Sequence, residues 1–192
     1  MEKRGLSARL REAGLRTDDK MWHCDELRFG LWGHVRRRWG RKGVKIIQQV
    51  QIEFVWQYLV LAVDVVKCEL HWAWASRMNQ TQLLPIFESW SPDAVIWDGA
   101  SAHRGQAMGQ VGFARIAIPP YSPELNPPER VFEVIRQAVE GVVYPSLQGK
   151  RHAIDRELRR LNANKAQLLT LIGWDWIVDA FQQLANPDIR SP

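Results

Sequence analysis

Ala94-Val95-Ile96-Trp97-Asp98-Gly99 is the stretch whose reading decides the fold. Four apolar residues are too few for a helix and make a short buried strand. The acid that follows sits at the carboxyl edge of that strand, where open α/β sheets place their ligands. Asp98 could equally begin an Asx turn, which Gly99 would suit.

On the N-terminal side, Lys20 to Asp25 reads as a short strand ending in an acid, and Trp56 to Val66 as a buried strand. Lys67 to Ala75 alternates loosely, and Val44 to Phe54, rich in Ile and Val, predicts one more strand. These segments form an antiparallel meander. Leu83, Leu84, Phe87 and Trp90 follow a helical period across Asn79 to Trp90, with Pro85 limiting or kinking the helix. On the C-terminal side, Arg104 to Val111 reads as a short helix and Ala114 to Ile118 as a final strand. In the next helix Val131, Val134, Ile135 and Ala138 make an apolar stripe, while Glu129, Glu133, Arg136 and Glu140 take another face. Ser146 to Leu161, Lys165 to Leu171, and a stripe of Trp174, Ile177, Phe181 and Leu184 predict three more helices. This order is that of a ribonuclease H-like α/β fold, a mixed sheet flanked by helices. It divides into a basic segment over 1–19, a catalytic domain over 20–145 and a C-terminal helical extension over 146–192.

A chain of 192 residues with 46% apolar residues and ten Trp can bury a substantial core. No apolar run reaches the roughly 18 to 20 residues a membrane span needs, and Met1-Glu-Lys-Arg-Gly5 lacks the apolar core of a signal peptide. A cytoplasmic protein without membrane partners is expected. Cys24 and Cys68 have neither zinc-ligand spacing nor the density of a disulfide scaffold, and read as reduced thiols buried in strands. The net charge of +5 is uneven, because residues 1–43 hold twelve Lys and Arg against six Asp and Glu. Arg36, Arg37, Arg38, Arg41, Lys42 and Lys45 fall within ten residues around Trp39. Such a segment can neutralise phosphates while the indole stacks on a base or sugar; the plainer alternative is a solvated loop.

Three acids stand at the edges of expected elements: Asp25 beside Glu26, Asp98, and Glu129. Asn126-Pro127-Pro128-Glu129 has the form of a helix start, with Asn126 as N-cap and Glu129 as its capping-box partner. Capping would explain Glu129 by itself. The same geometry also fixes a carboxylate in advance, as a hard cation requires. Together the three acids have the pattern of a two-metal phosphoryl-transfer site, with Glu133, one turn past Glu129, as a reserve ligand.

Four motifs extend this reading: Asp25-Glu26-Leu-Arg-Phe29, Trp39-Gly-Arg-Lys-Gly43, Asp98-Gly-Ala-Ser-Ala-His103, and Pro120-Tyr-Ser-Pro-Glu-Leu-Asn-Pro-Pro-Glu129-Arg130. Over roughly residues 20 to 140 the chain resembles the DDE transposases of the mariner-like superfamily, in their bacterial insertion-sequence branch. The resemblance implies that Asp25, Asp98 and Glu129 bind two Mg²⁺ or Mn²⁺ ions. It also implies cleavage of DNA at element ends followed by strand transfer. His103, five residues past Asp98, is an auxiliary candidate that could contact the scissile phosphate or a nearby water, the plainer alternative being a histidine that caps a helix or bonds a carbonyl, and Glu26 is a second auxiliary candidate. The partners so implied are DNA, a second copy of the chain, and a helix-turn-helix domain encoded upstream, since only about 20 residues precede the first strand. The chain then reads as a catalytic half acting at the bacterial nucleoid. A ribonuclease H-like nuclease without strand transfer, an inactive DNA-binding remnant, and an interaction module with an exposed Trp surface are the other readings.

Overall fold

The computed structural model describes residues 5–33, 39–98, 111–118 and 125–185. Its elements are α1 (Gly5–Glu12), β1 (Met21–Gly30), β2 (Trp56–Asp64), β3 (Glu69–Ala75), α2 (Gln80–Trp90), β4 (Ala94–Trp97) and β5 (Ala114–Ala117), followed by α3 (Pro127–Val139), α4 (Leu147–Ala163), α5 (Lys165–Ile172) and α6 (Asp175–Ala185). The five strands form one sheet in the order β3-β2-β1-β4-β5. β1, β2 and β3 pair antiparallel as a meander, whereas β4 pairs parallel with β1 and with β5. The mixed sheet expected from the element order is the one observed.

Period-two alternation along the strands splits the core in two. On one face Trp22, Cys24, Val60, Ala62, Val95 and Trp97 pack with Leu83 and Phe87 of α2. On the other, Met21, Leu27, Phe29, Leu59, Leu61 and Ile96 meet Val131, Phe132 and Ile135 of α3 and the helices that follow. β4 is buried at all four positions because it carries helices on both sides. α2 begins at Asn79, whose side chain accepts from Gln82 N at 3.1 Å, and continues through Pro85.

Three sequence expectations are corrected. β1 does not stop at Asp25 but runs to Gly30, because Leu27 and Phe29 continue the buried alternation and residues 23–30 all pair with β2. Val44 to Phe54 is not a strand. Ile46, Ile47, Ile52 and Phe54 are exposed there, and strand propensity is not realised without a partnering, half-buried surface. The segment is instead the returning leg of a long arm between β1 and β2. Its legs are tied by Leu31 N to Val55 O at 3.1 Å and Gly33 N to Gln51 O at 2.7 Å. The arm turns at Arg41–Val44, where Gly43 takes a φ of 83° that a side chain would disfavour. At its foot a Cβ on Gly30 would come within 2.4 Å of Val55 O, so only glycine lets the legs meet. Finally, Cys68 lies in the β2–β3 turn at a φ of 54° and is half-buried, whereas Cys24 is buried in β1 as expected.

The basic N-terminal segment contains an element that the sequence reading did not separate. α1 buries Leu6 and Leu10 completely and packs on α6, where Ser7 Oγ donates to Gln183 Oε1 at 3.0 Å. The expected helix over Arg104 to Val111 lies almost wholly outside the described residues. Among the described residues no helix is long and apolar enough to cross a membrane.

Candidate active site

Asp25 lies in the middle of β1, on the face that carries Leu27 and Phe29 against α3. In the parallel ladder His23 pairs with Ile96, so Asp25 stands two residues further on, level with Asp98 just past the end of β4. Glu129 comes from the first turn of α3. A strand interior, a strand end and a helix start thus deliver the three acids.

The electrostatics record their proximity. The Asp25 carboxyl is pushed up from 3.8 to about 7, chiefly by burial and then by the charge of Glu26, with further increments from Glu129 and Asp98. The N–H of Glu26, donating to Asp25 Oδ1 at 2.7 Å, acts in the opposite direction. Glu129 is paired with Arg136 at 3.6 Å, and Glu133 with Arg130 at 3.2 Å. Glu26, by strand alternation, faces the opposite side of the sheet from Asp25. Among the described residues no three His, Cys, Asp or Glu side chains stand at ready metal-ligating spacing.

Asn126 corrects the capping expectation. It flanks α3 in extended conformation but makes no side-chain cap; its Nδ2 donates instead to Asp25 Oδ2 at 2.7 Å. The side chain is 2% exposed, and its Oδ1 is buried without a partner among the described residues. A residue read as a helix cap is therefore a positioning residue for the central acid. Its proximity to Pro127-Pro128 concealed this, because a cap and an acid-binding amide have the same local sequence. Asn126→Ala should raise the Asp25 pKa above 7 by removing a donor that favours the charged carboxylate, as carboxyl ¹³C NMR titration would read. An unchanged or lowered value would refute this role.

The donor set fits hard divalent cations. It consists of oxygens alone, it includes a buried amide oxygen with no partner among the described residues, and its central carboxyl is raised chiefly by burial and further by neighbouring carboxylates whose charge a dication would offset. His103, Arg36, Arg37 and Arg38 lie outside the described residues. Trp39, Arg41, Lys42 and Lys45 are all exposed on the arm.

No family model matches the sequence, and no curated protein matches it. Solved structures do match its fold. The Mos1 mariner paired-end complex with Mn aligns with a TM-score of 0.63 at 12% identity, covering 99% of this chain and 61% of that one. The pre-cleavage Mos1 transpososome gives 0.58 at 11% identity, covering 100% and 65%. The Mos1 paired-end complex with Mg gives 0.57 at 13% identity, covering 100% and 64%. The chain thus spans somewhat under two thirds of the length of these structures. With its five-stranded mixed sheet and flanking helices, it has the ribonuclease H-like fold of these transposase structures.

Proposed function

We propose that the chain is the catalytic domain of a DNA transposase, which cuts DNA strands and joins the freed 3′-hydroxyl to a target. The observation that carries this reading is Asp25, a carboxyl in the centre of the sheet held at about 7 by burial and by Glu26, Glu129 and Asp98. Bringing acids together against their repulsion is what a cation site demands and what a purely structural sheet avoids. Asp25, Asp98 and Glu129 are the proposed ligands of Mg²⁺ or Mn²⁺, with Glu133 in reserve. When bound, two such ions supply the Lewis acidity that activates an attacking oxygen and stabilises a leaving one. The protein's own groups do the positioning: Asn126 holds Asp25, and Arg136 neutralises Glu129 in the metal-free state. His103 is the proposed contact to the scissile phosphate. The fold likeness to Mos1 complexes containing Mn or Mg supports this reading.

Isothermal titration tests it. Mg²⁺ or Mn²⁺ should bind the wild-type chain, and Asp98→Asn should weaken binding at least about tenfold, since even the loss of a group that only supports a metal ligand costs that much. Absence of any binding would overturn the proposal. With labelled DNA, cleavage without joining would reduce the reading to a nuclease.

DNA is the proposed partner, gripped by the exposed arm. Replacing Arg41, Lys42 and Lys45 by Ala should weaken binding to all sequences alike. It should also reduce the slope of log affinity against log salt by up to about one per lost phosphate contact. Unchanged affinity at low salt would return these residues, and Arg36, Arg37 and Arg38 with them, to a solvated loop. A second copy of the chain is proposed for the active assembly, supported by the exposed Ile46, Ile47 and Ile52 on the same arm. Selection of element ends is assigned to a helix-turn-helix domain encoded upstream in a bacterial insertion sequence.

A further inference from the structure

Little apolar burial holds the arm between β1 and β2. Ile47 and Phe54 on its returning leg are 85% and 71% exposed. At its foot a cavity of about 500 Å³ opens, lined by Arg28, Trp32, Phe54 and Lys150 together with residues of α3. Close packing is what transmits position through a protein interior, and with so little of it the angle of the arm has to be set by directional bonds.

Those bonds converge on the corner between α3 and α4. The Gln51 side chain, on the returning leg, meets the backbone of Tyr144 twice: Nε2 donates to Tyr144 O at 2.9 Å, and Oε1 accepts from Tyr144 N at 3.3 Å. The second Nε2 hydrogen goes to Glu53 Oε1 at 2.8 Å, so both donors of the amide are used. Gln51 O accepts from Gly33 N at 2.7 Å, which ties the outgoing leg to the same residue. At the foot, Lys150 near the start of α4 donates from Nζ to Gly30 O at 2.7 Å and lies 6.0 Å from the centre of the Tyr144 ring. Lys150 is 7% exposed, and burial lowers its pKa, partly offset by Glu140. A buried ammonium is costly unless it holds a partner, and here the partner is the last carbonyl of β1. Gly30, Lys150, Tyr144 and Gln51 thus close a circuit that joins both legs of the arm to the corner.

We infer that Gln51 and Lys150 are positioning residues that lock the arm in one pose, and so fix where a phosphate backbone held by Arg41, Lys42 and Lys45 runs relative to Asp25, Asp98 and Glu129. The corner is the direct continuation of α3, whose first turn carries Glu129, so the arm is referenced to the helix that delivers an acid. A grip set in advance does not spend binding energy on ordering itself. For the DNA the inference rests on the transposase reading; the locked pose is independent of it.

Two measurements on the full chain test it. With Cys68→Ser removing the half-buried thiol, spin labels on Val44→Cys and Ala163→Cys, both exposed, report the distance from arm to α4 by pulsed EPR without DNA or metal. One dominant distance is expected. It should broaden or split in Gln51→Leu, which lies outside both cores, and in Lys150→Met, which keeps the side-chain length, and be restored in Lys150→Arg, which keeps a donor for Gly30 O. A distribution already broad in the parent, or unchanged in both variants, would overturn the inference.

Duplex DNA titrated at rising salt then separates position from contact. Gln51→Leu removes no cation, so affinity should fall by about five- to thirtyfold, the equilibrium worth of one to two net hydrogen bonds, while the slope of log affinity against log salt stays within about 0.3 of wild type. A slope that falls along with the affinity would mean that Gln51 acts on the phosphate contacts themselves, and would also overturn it. Failure of the wild-type chain to bind duplex, with the single distance intact, sinks the DNA reading and keeps the lock; DNA binding with an unlocked arm does the reverse.

Discussion

Asp25→Asn should abolish metal-dependent DNA cleavage, by about 10³-fold or more, and yet make the metal-free protein more stable at neutral pH. The loss follows from removing the central carboxylate of the proposed cation site, whose charge stabilisation is worth several kcal/mol. The gain follows from linkage. Below about pH 4 Asp25 is protonated in both folded and unfolded chains, and burial costs little. As pH rises past the ordinary 3.8 the unfolded chain ionises while the folded chain, whose carboxyl is raised to about 7, does not. Folded wild type therefore loses stability progressively from about pH 4 to 7 and holds a constant deficit above that, on the order of 4 kcal/mol at most. Asn at this position removes the deficit and keeps one oxygen to accept from Asn126, giving up the bond from the Glu26 N–H, which trims the gain. Urea unfolding from pH 3 to pH 8 should show curves that coincide in acid and separate by about 2 to 4 kcal/mol above pH 7, with the variant more stable. Mg²⁺ should close the gap by stabilising wild type alone. A variant less stable than wild type at pH 8 would show that burial and the neighbouring acids do not raise the Asp25 carboxyl as described.

Asp155→Ala should cost about 2 to 4 kcal/mol of folding stability without touching the acids. The Asp155 Oδ1 accepts from Trp72 Nε1 at 2.9 Å and from Trp74 Nε1 at 3.0 Å, tying α4 to the edge strand β3. Arg151 stands 4.0 Å from Oδ2 and 5.1 Å from the centre of the Trp74 ring. Truncation leaves two partly buried indole donors unpartnered, each costing about 1 to 3 kcal/mol before relaxation and water access reduce the sum. Asp155→Asn keeps an acceptor oxygen and should lose less than half as much. A urea midpoint for Asp155→Ala within error of wild type would mean that water replaces the carboxylate freely.

How far the sequence could be read depended on the range of the interaction. β4 was legible because Ala94 to Trp97 is apolar throughout and bounded by Asp98, and α3 because its apolar stripe and Pro127 are local signals. The arm was misjudged for the complementary reason. Val44 to Phe54 has strand-like residues, but whether such a segment pairs depends on a half-buried surface being offered to it, and Ile46, Ile47, Ile52 and Phe54 stay exposed. Asp25 was mistaken for a strand terminus because only the ladder to β2, from Glu26 opposite Val60 to Gly30 opposite Trp56, carries β1 on to Gly30.

By itself the sequence determined the order of elements, the ribonuclease H-like sheet they build, and the candidate acids at 25, 98 and 129, since periodicity and punctuation are encoded within a few residues. The tertiary structure alone decided that Asn126 binds Asp25 across 101 residues, that Asp155 gathers two indoles from β3, and that Arg28, Trp32, Phe54 and Lys150 surround one cavity. The physical reason is that a hydrogen bond or a shared cavity depends on where folding brings side chains together, and hydrophobic burial, being non-directional, fixes that placement only when the whole core is packed.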